Sequence, residues 1–117
     1  MKIAIVGSRG FTDFDLLNKI VTSYCVSKNI LPKTIVSGGA KGADSLAEKF
    51  AKMYDFEMKI FYPDWEQFGR NACSTRNTEI VEYADIVFAF WNGTSPGTKD
   101  SITKAENLGK EVIITHF

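Results

Sequence analysis

Histidine and cysteine are scarce in this 117-residue chain, and their scarcity excludes whole classes of site. The lone histidine, His116, is the penultimate residue, so a histidine-based metal site or a catalytic triad is not expected. The two cysteines, Cys25 and Cys73, match no metal or redox spacing and are expected as free thiols in a reducing compartment. We therefore expect no metal and no resident cofactor.

Net charge and long apolar runs are also missing. The 14 Lys and Arg residues balance 14 Asp and Glu residues, whereas proteins that hold nucleic acid by bulk charge need a basic excess. A nucleic-acid partner is therefore not expected, although a small anion, which senses only local groups, is compatible with neutrality. No run of about 18 apolar residues exists, and the apolar start is too short for a signal peptide. The expectation is no membrane contact and a cytoplasmic location.

Hydrophobic residues make up 44% of the chain, enough for one buried core, so a single domain over residues 1–117 is expected. Five short runs rich in Ile, Val and Phe predict strands. Because most are apolar on consecutive residues, they are typical of a parallel sheet covered by helices on both faces. The predicted strands are residues 3–6, 34–37, 58–62, 86–90 and 112–115, and helical spacing falls at 14–27, 43–54, 75–83 and about 98–108.

This alternation of strands and helices predicts an α/β fold, a three-layer Rossmann-like sandwich around a five-stranded parallel sheet. We prefer the strand order 3-2-1-4-5. The flavodoxin-like order is the alternative, because spacing alone does not separate the two. In either order, ligands bind beyond the carboxyl ends of the strands, so the residues that follow each strand are the candidates for a site.

Seven of the nine glycines lie in the segments that follow strands 1, 2 and 4. Each segment opens a helix whose free N–H groups attract anions, and glycine lets the backbone approach a ligand closely. Tight turns need glycine in any α/β protein, but three such segments at one edge favour a phosphate site. Neither a Walker A sequence nor an intact Gly-x-Gly-x-x-Gly is present, so these segments do not predict which nucleotide binds. The candidate phosphate-binding residues here are Gly7, Ser8, Gly38, Gly39, Gly97 and Thr98.

The three arginines, Arg9, Arg70 and Arg76, all follow strands 1 and 3, whereas the helix surfaces use lysine. A planar guanidinium suits phosphate, so Arg9 and Arg76, with Lys41 from the second loop, are expected to supply positive charge. Arg76 lies near the predicted start of the third helix, where a cation opposes the helix dipole. An anionic ligand beside it would explain that placement, and a pair with a glutamate of the same helix is the alternative.

Acidic and aromatic side chains complete the candidate site. Asp44 falls in the first turn of a predicted helix, where complementing the dipole is the ordinary role of an aspartate. Trp65 and Trp91 flank the same sheet edge and either stack on a base or pack a loop. The remaining candidates are Asp64 and Asn92 for the ribose, and Ser37, Ala40, Arg70, Asn77, Gly93 and Ser95 elsewhere in these segments.

Taken in order, these segments resemble the SLOG superfamily, and most closely its small YspA-like members. The resemblance rests mainly on residues 7–9 (Gly-Ser-Arg), residues 37–44 (Ser-Gly-Gly-Ala-Lys-Gly-Ala-Asp) and residues 95–98 (Ser-Pro-Gly-Thr), and it covers nearly the whole chain. It implies a nucleotide-binding domain, often in homo-oligomers, whose ligands are nucleotides or derivatives of NAD or ADP-ribose. The superfamily also contains the LOG phosphoribohydrolases and the Smf/DprA DNA-processing proteins.

Resemblance to the LOG enzymes also implies two catalytic candidates. Arg76 matches an arginine that precedes strand 4 in those enzymes, and Asp100 stands at the first position of their acidic pair. Ser101 occupies the second position and Asn77 replaces a lysine, which weakens the case for cleaving an N-glycosidic bond. The expected function is a module that senses or sequesters a nucleotide, with a phosphoribohydrolase as the alternative. A DprA-like binder of single-stranded DNA comes third, because the chain has no basic excess.

Overall fold

A five-stranded, all-parallel sheet forms the centre of the protein in a computed structural model that describes residues 1–117. Its strand order is β3-β2-β1-β4-β5, which confirms the predicted Rossmann-like α/β sandwich over the flavodoxin-like alternative. The strands are β1 (Lys2–Gly7), β2 (Thr34–Ser37), β3 (Glu57–Ile60), β4 (Ile86–Trp91) and β5 (Glu111–His116). The helices are α1 (Phe14–Ser27), α2 (Ala43–Met53), α3 (Trp65–Phe68), α4 (Ala72–Tyr83) and α5 (Pro96–Asn107), with a short 3-10 helix at Gly69–Asn71.

The central strands are apolar on consecutive residues because each of their faces meets a different pair of helices. Ile3 and Ile5 belong to a core cluster with buried residues of α1 and α2. Their neighbours Ala4 and Val6 point to the opposite face and pack with buried residues of α4 and α5. Two buried layers therefore hold β1 and β4 rigidly in the middle of the sheet.

The edge strand β3 follows a different pattern, because only part of it is covered. Glu57 and Lys59 are exposed and alternate with half-buried residues. Charged side chains at an edge strand oppose pairing with another sheet. The strand ends at Ile60, two residues before its predicted end, because its neighbour β2 already ends at Ser37.

The structure corrects the sequence prediction between β3 and β4. The segment expected to be a loop contains α3, whose first turn is capped by Asp64: the carboxylate accepts a hydrogen bond from Gln67 N–H at 3.1 Å. Helix α4 then begins at Ala72, three residues earlier than predicted. As a result Arg76 lies in the second turn of α4, where the helix dipole opposes a cation less strongly than in the first turn. No helix in the chain is long and apolar enough to span a membrane.

Candidate functional site

A cleft of about 490 Å³ opens at the carboxyl edge of the sheet, where β1 and β4 lie side by side. The chain leaves β1 toward β2 on one side and β4 toward β5 on the other, so the two loops diverge and leave a gap between them. Open α/β sheets bind ligands at this point. Eleven of the predicted site residues line the cleft: Gly7, Ser8, Arg9, Ala40, Asp44, Arg76, Asn77, Asn92, Ser95, Gly97 and Thr98.

The loop after β1 is fixed by Ser8, which is buried although it is polar. Its N–H donates to the Phe90 carbonyl at 2.9 Å, and its hydroxyl oxygen accepts from Asn92 N–H at 3.3 Å. These bonds tie the ends of β1 and β4 together and turn the next residue, Arg9, to the exposed mouth of the cleft. Arg9 forms no ion pair and no hydrogen bond within the protein, so its guanidinium is free to meet an anion.

Arg76 reaches the cleft from α4 and is held from two sides. Its Nη1 donates to the Gly38 carbonyl at 2.6 Å, and its Nε donates to Asn77 Oδ1 at 3.0 Å. These bonds use two of the five N–H groups of a guanidinium, so three stay available. The alternative pair with Glu79 or Glu82 does not form, since the only ion pair in the chain joins Lys104 and Asp100.

The first turn of α5 supplies unpaired backbone donors. Its N-cap, Ser95, makes no side-chain capping bond, and Pro96 at the next position has no N–H. The N–H groups of Gly97 and Thr98 make no hydrogen bond within the protein, and both residues line the cleft. Asn92 shapes the preceding turn, because its side-chain oxygen accepts from Ser95 N–H at 2.8 Å. The positive end of the α5 dipole therefore faces the same space as the two arginines.

Asp44 is a nearly buried carboxyl group in the wall of the cleft, 7% exposed. Its Oδ2 accepts a hydrogen bond from Ala40 N–H at 3.2 Å. Burial raises the pKa of Asp44 above the ordinary aspartate value, although the Ala40 bond and the positive charge of Arg76 act in the opposite direction. The residue therefore does more than complement the α2 dipole, because an exposed carboxylate would serve that purpose without the cost of burial.

Asp100, a catalytic candidate by resemblance, does not line the cleft. Its Oδ2 forms an ion pair with Lys104 Nζ at 3.0 Å and accepts from Asn77 Nδ2 at 3.1 Å. Asn77 thus bridges Asp100 to Arg76, and this bridge joins α4 to α5. Asp100 therefore helps to hold Asn77 in place.

Nine other predicted residues also lie outside the cleft lining. Trp91 packs its own loop, since Nε1 donates to the Ser95 carbonyl at 3.0 Å and the indole lies against His116. Ser37 is buried at the end of β2, where its hydroxyl faces the Asp44 carbonyl. The remaining seven are Gly38, Gly39, Lys41, Asp64, Trp65, Arg70 and Gly93.

The cleft also contains residues that sequence reasoning did not assign to it. Cys73 lies three positions before Arg76, so the two share one face of α4, and Ser101 occupies the corresponding side of α5. If the helix predicted from residue 75 had been started at Ala72, its spacing would have placed Cys73 on the same face as Arg76. Gly10, Pro96, Val6 and Ile80 complete the lining.

Comparison with known proteins identifies the family. A family model described as YspA, cpYpsA-related SLOG family matches residues 1–68, more than half of the chain. The chain belongs to this SLOG family. It is also 35% identical over 85 residues to the Gene 61 protein of Mycobacterium phage D29. This alignment covers 68% of each of the two chains. The matched SLOG region runs from β1 to α3, so it contains the loops of Ser8 and Asp44 but not Arg76 or the α5 turn.

Two solved structures share the fold of this SLOG domain. DNA processing protein A from Streptococcus pneumoniae superposes with a TM-score of 0.75 and 19% identity. The same protein from Helicobacter pylori, in a structure that describes its single-stranded DNA binding mode, superposes with a TM-score of 0.71 and 22% identity. The superposition covers 97% of this chain in both cases, but 49% and 64% of those longer proteins.

Proposed function

We propose that this SLOG domain binds a nucleotide, or a molecule derived from one, in the cleft between β1 and β4, and so senses or sequesters it. One observation carries the proposal: two arginines that form no ion pair, and a start of α5 without a side-chain cap, face the same cleft. Backbone donors at a helix start together with guanidinium groups are the usual means of holding phosphate. The volume of about 490 Å³ lies within the range of small-molecule sites.

The charges in the cleft support a phosphate ligand even though the chain is neutral overall. Arg9 and Arg76 are its basic residues, and Asp44 is its one acidic residue. An ionised Asp44 still leaves a net positive charge of one. Asp44 also replaces Asp64 as the acidic candidate for ribose hydroxyls, because the Asp64 carboxylate caps α3. The ligand envisaged is thus an anion with hydroxyl groups near its phosphate.

Replacing Arg76 with alanine is expected to weaken nucleotide binding by about tenfold or more, the typical loss of a charged hydrogen bond. The matched control is Arg70→Ala, which removes an exposed arginine outside the cleft from the same segment and is expected to leave affinity unchanged. Isothermal titration calorimetry with AMP, GMP, CMP, UMP, ADP-ribose and NAD measures both. Equal losses in the two variants would contradict binding in this cleft.

The same titration tests nucleic acid, because one of the structural neighbours binds single-stranded DNA. We expect a short oligonucleotide to bind weakly at most, since the chain has no basic excess to release counterions. Tight, salt-dependent binding of the oligonucleotide with no binding of any small nucleotide would overturn the proposal. The homo-oligomer implied by the family resemblance stays a prediction, which light scattering checks.

Cleavage of an N-glycosidic bond is the second candidate function, and the position of Asp44 favours it. A buried carboxyl group with a raised pKa beside an arginine is typical of general acid-base sites. Asp100 is less suited to this role, because Lys104 and Asn77 already engage its carboxylate.

Incubation with AMP and with NAD, followed by chromatography, separates the two functions. We expect the unchanged nucleotide to be recovered, as for a binding module. Release of free base that Asp44→Asn abolishes would establish an enzyme that uses Asp44. Release that Asp100→Asn abolishes, with Asp44→Asn active, would assign the role to Asp100 instead.

A further inference from the structure

Two consecutive glycines at the end of β2 are each covered by a different side chain. A Cβ atom on Gly38 would lie 2.6 Å from Arg76 Nη1, and a Cβ atom on Gly39 would lie 2.7 Å from Tyr62 Cε1. These contacts, the two Cα–Cβ bonds and the spacing of neighbouring Cα atoms together place Arg76 Nη1 and Tyr62 Cε1 at most about 12 Å apart. This separation is one that a single nucleotide unit can bridge.

Tyr62 is 67% exposed although its ring is seated on the backbone of Gly39. The chain around it is fixed, because Phe61 N–H donates to the Ser37 carbonyl at 2.9 Å and Pro63 follows directly. The phenol hydroxyl makes no hydrogen bond within the protein, and the ring stacks on no other aromatic side chain. The Cδ1 and Cε1 atoms of the ring therefore lie against the glycine loop while much of the ring stays open to solvent at the carboxyl edge of the sheet.

Tyr62 does not line the candidate cleft, but the glycine loop on which it is seated adjoins the lining. Gly39 is followed by Ala40, which lines the cleft, and Gly38 carries the carbonyl that anchors Arg76. A ligand bound to Arg76 reaches Tyr62 only if it extends beyond the lining and over this loop. Trp91 is not available for this contact, since it is occupied by Ser95 and His116.

We propose that Tyr62 is the residue on which the base of the ligand stacks when its phosphate is bound by Arg76. The inference rests on the proposed function, and it transfers the base-stacking role from the two tryptophans to a tyrosine. It also narrows the ligand class, because a phosphorylated sugar without a base would gain nothing from this contact. Stacking on an exposed ring tolerates any base, so Tyr62 confers affinity for nucleotides rather than selection among them.

The test compares Tyr62→Ala and Tyr62→Phe with the unchanged chain, and Trp65→Ala is the matched control. Trp65 is a similarly exposed aromatic residue, 58% accessible, three positions further along the chain. The probes are the tightest-binding of AMP, GMP, CMP and UMP, and ribose 5-phosphate. Tyr62→Ala is expected to weaken nucleotide binding by about tenfold, toward the affinity for ribose 5-phosphate. Tyr62→Phe and Trp65→Ala are expected to bind as the unchanged chain does, and ribose 5-phosphate is expected to show no effect of any variant.

Each other result overturns the inference in a recognisable way. If Tyr62→Ala binds the nucleotide as tightly as the unchanged chain does, Tyr62 does not stack on the base, and the proposed function still stands. If Tyr62→Ala lowers the affinity for the nucleotide and for ribose 5-phosphate equally, Tyr62 supports the structure of the loop and does not contact the base. An equal loss in Trp65→Ala overturns the assignment to Tyr62, because the tryptophan that the sequence proposed for stacking would then contribute as much. A chain that binds none of these probes overturns the inference together with the proposed function.

Discussion

Replacing Gly42 with alanine is expected to lower the free energy of unfolding by about 3 kcal/mol. Gly42 has a φ of 77° and a ψ of −128°, a backbone conformation that glycine adopts readily and that costs an L-residue about 1–3 kcal/mol. The new Cβ would also overlap the Ser8 carbonyl oxygen and would lie 2.6 Å from that of Arg9. Both are backbone atoms, which cannot rotate away, so the β1 loop must move at a further cost of about 1–3 kcal/mol.

Gly10→Ala is the control for this prediction. Gly10 belongs to the same cleft, has no positive φ, and a Cβ there would meet no atom within 4 Å. Its change in stability is expected to stay within about 0.5 kcal/mol. Urea denaturation followed by circular dichroism measures both, with an unchanged slope showing that the unfolded states are comparable. A Gly42→Ala variant as stable as Gly10→Ala would show that the loop accommodates a side chain and that the close packing is not required.

The parallel sheet and the edge that bears the cleft could be predicted, because both follow from the distribution of apolar residues and glycines along the chain. The strand order was a preference that the structure confirms, since spacing alone fits the flavodoxin-like order equally well. Strands buried on both faces leave a parallel sheet as the simplest arrangement, and loops after parallel strands meet at one edge. The short helix α3 was missed because its apolar periodicity is too brief to detect. Its start does carry a signal: Asp64 and Gln67 have the spacing of a capping box.

The roles of individual site residues were harder to predict, because they depend on side-chain direction and on local hydrogen bonds. Asn92 was proposed for the ribose, but its oxygen accepts from Thr94 and Ser95 N–H groups and so forms the turn itself. Short polar side chains after a strand commonly bond to nearby backbone in this way. Tyr62 belongs to no motif, and only the position of its ring against Gly39 makes it a candidate.

Asp44→Asn is expected to stabilise the protein at neutral pH, by on the order of 1 kcal/mol, the usual size of a single-residue effect. The amide oxygen of asparagine can still accept the Ala40 N–H, so the change removes the buried charge and keeps the hydrogen bond. Desolvation outweighs the attraction of Arg76 in raising the pKa of this carboxyl, and the nearby Glu48 acts in the same direction as burial. A buried group that costs stability is a common feature of sites selected for function.

The effect of Asp44→Asn is expected to depend on pH in one direction only. The pKa of Asp44 is higher in the folded protein than in the unfolded chain, where it is about 4. The protonated carboxyl therefore favours folding, and this contribution is fully present when the pH is below about 4. That contribution is lost as the pH rises through the raised pKa, so the advantage of the asparagine variant should be absent at low pH and should grow toward neutrality. Asp15→Asn, an exposed aspartate in the first turn of α1, is the control and is expected to destabilise by at most about 1 kcal/mol through loss of a dipole contact. Denaturant titrations from pH 3 to pH 8 measure both variants. Destabilisation of the protein by Asp44→Asn at pH 7 would contradict the account, because the ionised carboxylate would then stabilise the fold.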